Sequence, residues 1–405
     1  MLLFAALLSS YTFISMTKQC FSSAMAFIVE DGLMLKSQVG TIVAVFYLVY
    51  GFLQIVGGVA VDKWKPEHFI TIGFLGAGLC NLAVYLCEHY RFADFYYFVL
   101  IVWVLNACVQ FAVWPATFKM TASMVKKEQR TNALFLIAFA NPFGTVLNYL
   151  VAALIPKWQY NFLLSAVGLV AFALIWEFFF RGVKQHLTQE EIAPVSVSVA
   201  DQGDKHAPNT VALFLASGVA LLLIVILVRS VFDNGLKTLI ATMINESYTN
   251  VTPTVATALT IVILIAGALG PMVARWLYPT HIKSEMNALA IFMLLAFPFA
   301  CLMLLLGRAH YVLIVVFTSL VVLATSAASL SSSYIAARFH KWGKSGTVAG
   351  ALNAVTSLGI VVSNFVFTRV AERFNWIVTI EIWLVLLVLS YLLLLIILPM
   401  WRRFF

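Results

Sequence analysis

The sequence predicts an all-helical membrane protein of about twelve transmembrane helices in two pseudo-symmetric six-helix bundles, and three observations carry that prediction. Of the 405 residues, 62% are hydrophobic and 10% charged, far below the roughly one quarter charged in a soluble domain. Apolar stretches of roughly 20 residues, long enough to cross a hydrocarbon core, recur from end to end with short polar punctuation. One longer polar stretch, residues 182–208, divides the chain near its middle.

Taken in order, apolar runs bounded by charge, Gly and Pro place helices near residues 2–29, 37–61, 68–87, 94–124, 131–155 and 160–180. A second set falls near 210–245, 254–278, 286–307, 311–337, 347–371 and 376–401. The expected organisation is an N-terminal bundle over 1–181, a cytoplasmic linker over 182–208 carrying Lys184, Glu190, Glu191, Asp201, Asp204 and Lys205, and a C-terminal bundle over 209–405. Leu2 opens a span that runs past signal-peptide length and holds polar groups, so it reads as a retained first helix.

The net charge of +8 is spread over short loops, which suits membrane topology and not a nucleic-acid surface. With both termini cytoplasmic, the inner loops and tail hold Lys63, Lys65, Lys126, Lys127, Arg130, Arg181, Lys184, Lys205, Arg275, Lys283, Arg338, Lys341, Lys344, Arg402 and Arg403, while the outer loops hold Lys36, Arg91, Lys157, Arg308, Arg369 and Arg373. That excess of inner Lys and Arg sets the expected orientation. Cys20, Cys80, Cys87, Cys108 and Cys301 are scattered without ligand spacing and read as packing residues. The sequence carries no NTPase phosphate loop, paired Cys/His motif or nucleophile triad, so neither an enzyme, a metal, a cofactor nor ATP-driven pumping is expected.

The two halves echo each other. Lys18 precedes Gly58 by 40 residues and Arg229 precedes Gly270 by 41, with Lys63 and Arg275 each five positions after the glycine. A duplicated six-helix unit explains the offset.

Each half also places one cation deep within an apolar run, Lys18 in the first span and Arg229 in the seventh. A charge at the bilayer centre costs about 2.5–3.5 kcal/mol on insertion scales, so such residues face a partner or a cavity. Together they suggest an anion site. Arg229, Asp233 and Lys237 share one face of the seventh span at four-residue spacing. They read either as an anion-binding strip with net positive charge or as a self-neutralised structural ladder. Helical spacing adds Tyr11, Ser15 and Ser22 to the Lys18 face, Tyr47, Tyr50 and Gln54 on the second span, and Gln110, Trp114 and Thr117 on the fourth. Lys119, near a helix end, reads as an entrance residue or a snorkelling anchor. Asp233, ahead of Glu381, is the better candidate for a titrating carboxylate in a proton-coupled cycle.

Gly57-Gly58-Val59-Ala60-Val61-Asp62-Lys63-Trp64-Lys65, between the second and third spans, resembles the loop signature of the major facilitator superfamily, with Trp64 at the later glycine. Four further segments are similar to the organophosphate:phosphate antiporters within it. They are Thr17-Lys18-Gln19-Cys20-Phe21-Ser22-Ser23-Ala24-Met25, with Lys18 at an arginine position, and Tyr50-Gly51-Phe52-Leu53-Gln54 leading into the loop. The others are Gln110, Trp114-Pro115 and Lys119 with the basic turn Lys126 to Arg130, and Arg229 leading into Asn234-Gly235. Gly346-Thr347-Val348-Ala349-Gly350 is similar to the family's eleventh-helix stretch. Gln54 and Asn141 stand where the family commonly has a lysine and a histidine.

The resemblance implies the superfamily's fold and an alternating-access carrier in a bacterial inner membrane, monomeric and in contact with lipid, that exchanges a phosphorylated metabolite for inorganic phosphate. Lys18 and Arg229 would meet near the midplane and hold the charged group. Tyr50, Gln54, Gln110, Trp114, Asn141 and Lys237 would contact the rest, with Asp62, Lys63, Arg130 and Asp233 in gating or coupling. The alternatives are a proton-coupled symporter of a carboxylate or sugar derivative, and a sugar-phosphate sensor without flux.

Overall fold

A computed structural model of the chain describes residues 2–89, 94–124, 127–155, 157–186, 210–278, 280–307, 309–342 and 344–405. Among these residues all regular structure is helical. The chain packs as two compact units, Met1–Ser196 with Pro253–Ala258 and Val197–Thr252 with Leu259–Phe405.

The first unit holds six spans. The first is split into α1 (Leu2–Thr17) and α2 (Cys20–Glu30), and α3 (Lys36–Lys63) and α4 (Pro66–His89) follow. The fourth span is split into α5 (Phe95–Gln110) and α6 (Val113–Met124), and α7 (Lys127–Leu154) and α8 (Trp158–His186) complete the set. α8 runs past the expected span end, so the first residues of the 182–208 stretch are helical and the rest of that stretch lies outside the described residues. In the second unit the seventh span is α9 (Thr210–Ser217) plus α10 (Val219–Ser247), followed by α11 (Pro253–Leu277), α12 (Glu285–Leu306) and α13 (Tyr311–Ala337). A 3-10 turn (Arg338–Trp342) leads to α14 (Ser345–Val362), a π-helical turn (Ser363–Phe367), α15 (Thr368–Arg373) and α16 (Trp376–Phe404).

Ends follow local chemistry. Pro66 and Pro253 occupy first helical positions, where a missing N–H costs nothing. The Asn375 side chain accepts from Val378 N at 2.9 Å, satisfying an otherwise orphaned donor of α16. Among the described residues, ten helices are long and apolar enough to span a bilayer. The first span is present as two shorter helices, α1 and α2, and the apolar stretch described in α7 is Phe139–Leu154.

The breaks differ in cause. At Lys18–Gln19 the Gln19 amide takes the Met16 carbonyl at 3.2 Å, three residues back, so the turn tightens before α2 restarts with Ser23 N on Gln19 O at 2.9 Å. Gly57 of α3 presses on the second break, where a Cβ would lie 2.9 Å from the Phe111 carbonyl oxygen and 3.2 Å from Ala112 Cα. The seventh span breaks at Gly218, whose φ of 79° is a left-handed conformation suited to glycine.

In the first unit α1 packs on α7 and α4 on α8 and α5, around Leu7, Ile14, Phe74 and Trp176. In the second, α12 packs on α13, while α10 packs on α14 and α16. The exterior is apolar: Leu154, Phe178 and Leu305 are 72%, 75% and 70% exposed. A surface of that kind is solvated by lipid, so the chain is an integral membrane protein.

Candidate functional site

Lys18 sits at the break of the first span and is 6% exposed. Its Nζ donates to the Tyr50 hydroxyl at 2.9 Å and lies 4.2 Å from the Tyr50 ring centroid and 5.6 Å from that of Tyr11. Tyr11 in turn meets Trp114 at 4.5 Å between centroids. Gln54 hydrogen-bonds the Tyr50 hydroxyl, and Gln19 Nε2 donates to Tyr47 Oη at 3.0 Å. The structure therefore brings together Lys18, Tyr11, Tyr50, Gln54 and Trp114. Among the described residues no carboxylate pairs with Lys18. Its charge is held by one phenol oxygen and the faces of two rings, a setting in which cation–π attraction offsets part of the cost of burial.

A second network, which the spacing argument missed, fixes α2. Ser23 Oγ donates to Asn148 Oδ1 at 2.6 Å and accepts from Asn161 Nδ2 at 3.2 Å, and Cys20 Sγ meets Ser165 Oγ at 3.3 Å. These buried groups pin α2 to α7 and α8 one turn after Lys18. Asn148 and Asn161 were visible as amides inside apolar runs.

The other first-unit residues are placed differently. Gln110 is fully buried at the end of α5, its Nε2 donating to Asn106 Oδ1 at 2.5 Å, while Gln110 Oε1 and Asn106 Nδ2 have no partner among the described residues. Asn141 is exposed on α7 and its main-chain carbonyl accepts from Thr145. Lys119 Nζ donates to the Val61 carbonyl at 2.9 Å, tying α6 to the end of α3. Lys63 is exposed. The side chains of Asp62 and Arg130 lie outside the described residues. Glu177 in α8, a carboxylate that the sequence reading passed over, accepts from Thr71 Oγ1 at 3.0 Å.

In the second unit Arg229 is 3% exposed on α10. Among the described residues its guanidinium makes one hydrogen bond, from Nη1 to the Thr325 carbonyl at 3.3 Å, and its buried Nε has no partner. Asp233, one turn on, does not hydrogen-bond Arg229. Its Oδ2 takes Lys237 Nζ at 2.6 Å, and its Oδ1 takes Thr325 Oγ1 at 2.9 Å and Ser326 Oγ at 2.8 Å. Lys237 Nζ also donates to Ser326 Oγ at 2.8 Å. The ladder is therefore half neutralised, with Asp233 and Lys237 paired and Arg229 left with free donors. An arginine fork with unbonded donors matches the planar, multidentate geometry of phosphate or carboxylate oxygens.

At one end of the second unit Glu285, 1% exposed, accepts from Arg338 Nε and Nη2 at 2.9 and 3.1 Å, from Trp401 Nε1 at 3.2 Å and from Tyr278 Oη at 3.3 Å. This cluster ties the starts or ends of α11, α12, α13 and α16. The hydrogen-bonded Glu285 carboxylate raises the Arg338 pKa above its ordinary value.

Comparison with known proteins agrees with this architecture. The chain is 24% identical over 158 residues to the Membrane sensor protein UhpC of Escherichia coli K12, covering 38% of this chain and 35% of that protein. It is 28% identical over 130 residues to the "Probable hexose phosphate transport protein" of Chlamydia trachomatis, covering 32% and 27%. The matched stretch thus spans about a third of these relatives' length. In fold the chain is similar to a bacterial homolog of the human lysosomal transporter Spinster, with a TM-score of 0.75 at 12% identity, covering 99% of this chain and 97% of that one. The family model described as Major Facilitator Superfamily matches residues 7–364, and the chain belongs to that superfamily.

Proposed function

We propose that this chain is a secondary transporter that exchanges a phosphorylated metabolite for inorganic phosphate by alternating access, with Lys18 and Arg229 holding the charged group. The observation that carries the reading is the pair of buried cations, one in each unit. Lys18 has no carboxylate partner among the described residues, and Arg229 keeps Nε unbonded while its neighbouring aspartate is occupied elsewhere. An anion compensates both, and the binding energy it releases is available to drive a conformational change. The relatives named for hexose phosphate transport support the ester class.

In this reading Tyr50, Gln54 and Trp114 contact the organic part, with Gln110 and Asn141 contributing from the fourth and fifth spans. Asp62, Lys63 and Arg130 govern the gate. Lys237 serves the site by neutralising Asp233. The membrane is a bacterial inner membrane with both termini cytoplasmic, and the working unit is the monomer.

The test is counterflow in proteoliposomes loaded with inorganic phosphate and offered a panel of phosphate esters. Lys18→Gln and Arg229→Gln should each abolish exchange while still inserting. Wild-type exchange in either variant refutes the assignment. The likeness to a protein named as a membrane sensor favours one second reading, binding without flux. In that case the wild-type protein binds phosphate ester in detergent yet fails to exchange it in sealed vesicles.

A further inference from the structure

The i, i+4, i+8 arrangement of Arg229, Asp233 and Lys237 gives Asp233 two cations at equivalent spacing, one turn away on either side. Nothing on α10 itself decides between them. The decision comes from one turn of α13. Ser326 presents its hydroxyl to Asp233 Oδ1 at 2.8 Å, and the Thr325 hydroxyl reaches the same oxygen at 2.9 Å, nearer than the Val321 and Val322 carbonyls of its own helix at 3.1 and 3.3 Å, while Oδ2 is held by Lys237 at 2.6 Å. Ser326 Oγ also accepts from Lys237 Nζ at 2.8 Å, which closes a ring of Lys237, Asp233 and Ser326. The same turn meets Arg229 only through the main-chain carbonyl of Thr325, at the longer distance of 3.3 Å. Main chain faces the arginine and side chains face the aspartate.

α11 builds the frame for that ring. A Cβ on Gly267 would lie 2.8 Å from Lys237 Cε, so the absence of a side chain there makes room for the ammonium. A Cβ on Gly270 would lie 2.6 Å from the Leu323 carbonyl oxygen and 2.7 Å from Ala327 N, so α11 presses directly on the α13 segment that carries residues 325 and 326.

We propose that Thr325 and Ser326 are positioning residues for the anion site: with Lys237 they hold Asp233 away from Arg229 and so keep the guanidinium open to ligand. This rests on the reading of Arg229 as an anion-binding residue. Without the two hydroxyls, Asp233 Oδ1 loses both of its hydrogen bonds. Lys237 already holds Oδ2, and the donor within α10 that has no partner among the described residues is Arg229 Nε, one turn back. An aspartate bonded there competes with any incoming oxyanion for the same N–H groups, and a ligand then has to displace it.

The experiment measures binding of inorganic phosphate to the purified full-length protein in detergent. Thr325→Val combined with Ser326→Ala should weaken binding by about tenfold or more, and adding Asp233→Asn should return it to within about threefold of wild type, because the competing charge is gone. Packing damage alone is not repaired by Asp233→Asn, so the rescue separates positioning from a structural effect. If the double variant fails to insert, Ser326→Ala alone carries the same test with the same sign. Unchanged affinity in the hydroxyl variants, or a loss that Asp233→Asn leaves in place, overturns the proposal. Arg229→Gln is measured in parallel. If it binds phosphate normally, the functional reading falls and this inference falls with it. If it loses binding while the hydroxyl variants bind normally, only the positioning role is overturned.

Discussion

Gly144→Ala tests whether helix packing in the first unit sets the position of the buried lysine. Gly144 lies on α7 against α1, and a Cβ there would stand 2.8 Å from Met16 N and 3.1 Å from Ser15 Cβ, and closer still to the Thr12 carbonyl oxygen. Relaxed heavy-atom contacts sit near 3.5–4.0 Å, so α1 has to retreat by roughly 0.5–1 Å. Overpacking of that kind costs about 1–3 kcal/mol. The retreat occurs in the last turn before Lys18, whose bond to Tyr50 is 2.9 Å long. A displacement of about 0.7 Å carries that bond past the distance at which it still counts as one. The expected result is a lower melting temperature in detergent and a roughly tenfold higher phosphate concentration for half-maximal exchange, equivalent to about 1.4 kcal/mol. Gly182→Ala is the control, since a Cβ there meets nothing within 4 Å. If Gly144→Ala matches that control in both melting and exchange, the packing argument is wrong.

Two further outcomes follow from the second unit. Glu285→Gln keeps one acceptor oxygen but loses the bidentate ion pair with Arg338. Because the Arg338 side chain is 49% exposed, the loss is about 1–2 kcal/mol and not the larger cost of breaking a fully buried pair. It reads out as a melting temperature lower by a few degrees with the affinity for phosphate unchanged, and an unaltered melting curve counts against the cluster as a structural tie. An imposed pH gradient should leave the initial rate of phosphate exchange within about twofold of its value without a gradient, measured in vesicles of fixed internal buffer; gradient-driven accumulation of substrate that disappears in Asp233→Asn establishes proton coupling instead.

The spans were legible because an apolar run of bilayer length admits few other structures, and the observed helix ends stay close to the runs. The breaks were not. Lys18-Gln19 and Phe111-Ala112 contain no helix-breaking residue, and the second is pressed by the approach of Gly57 from another helix. Tertiary contacts outweighed local preference there. Gly218 was readable in principle, but a glycine in an apolar run is as often simply tolerated. In the site, Lys18 and Arg229 stood out because charge in such runs is rare. Their partners did not, because serine and threonine are common in membrane helices and most return their hydroxyls to their own backbone. Ser326 gives its hydroxyl to Asp233, and Thr325 divides its hydroxyl between Asp233 and the Val321 and Val322 carbonyls of its own helix, so only the rotation of α13 about its axis brings the two to the aspartate.

The state of Asp233 bears on what drives transport. A proton-coupled carrier needs a carboxylate that gains and loses its proton as the cycle turns, and such a group does best with a spare lone pair and a weak hold on its neighbours. Asp233 lacks the weak hold: it accepts three hydrogen bonds, one of them from a lysine at 2.6 Å, which leave one of its four lone pairs. Protonating it breaks the ion pair and leaves the Lys237 ammonium uncompensated by its carboxylate, a large penalty for a partly buried pair. Glu177 is engaged by Thr71, and Glu381 is exposed near the start of α16. Exchange needs no such group. In the proposed exchange an incoming anion takes the place of the departing one, so the binding charge is compensated in both directions of the cycle. The fixed Asp233–Lys237 pair therefore weighs against Asp233 as the proton carrier of a symport cycle, since both oxygens of the best-placed carboxylate are already engaged.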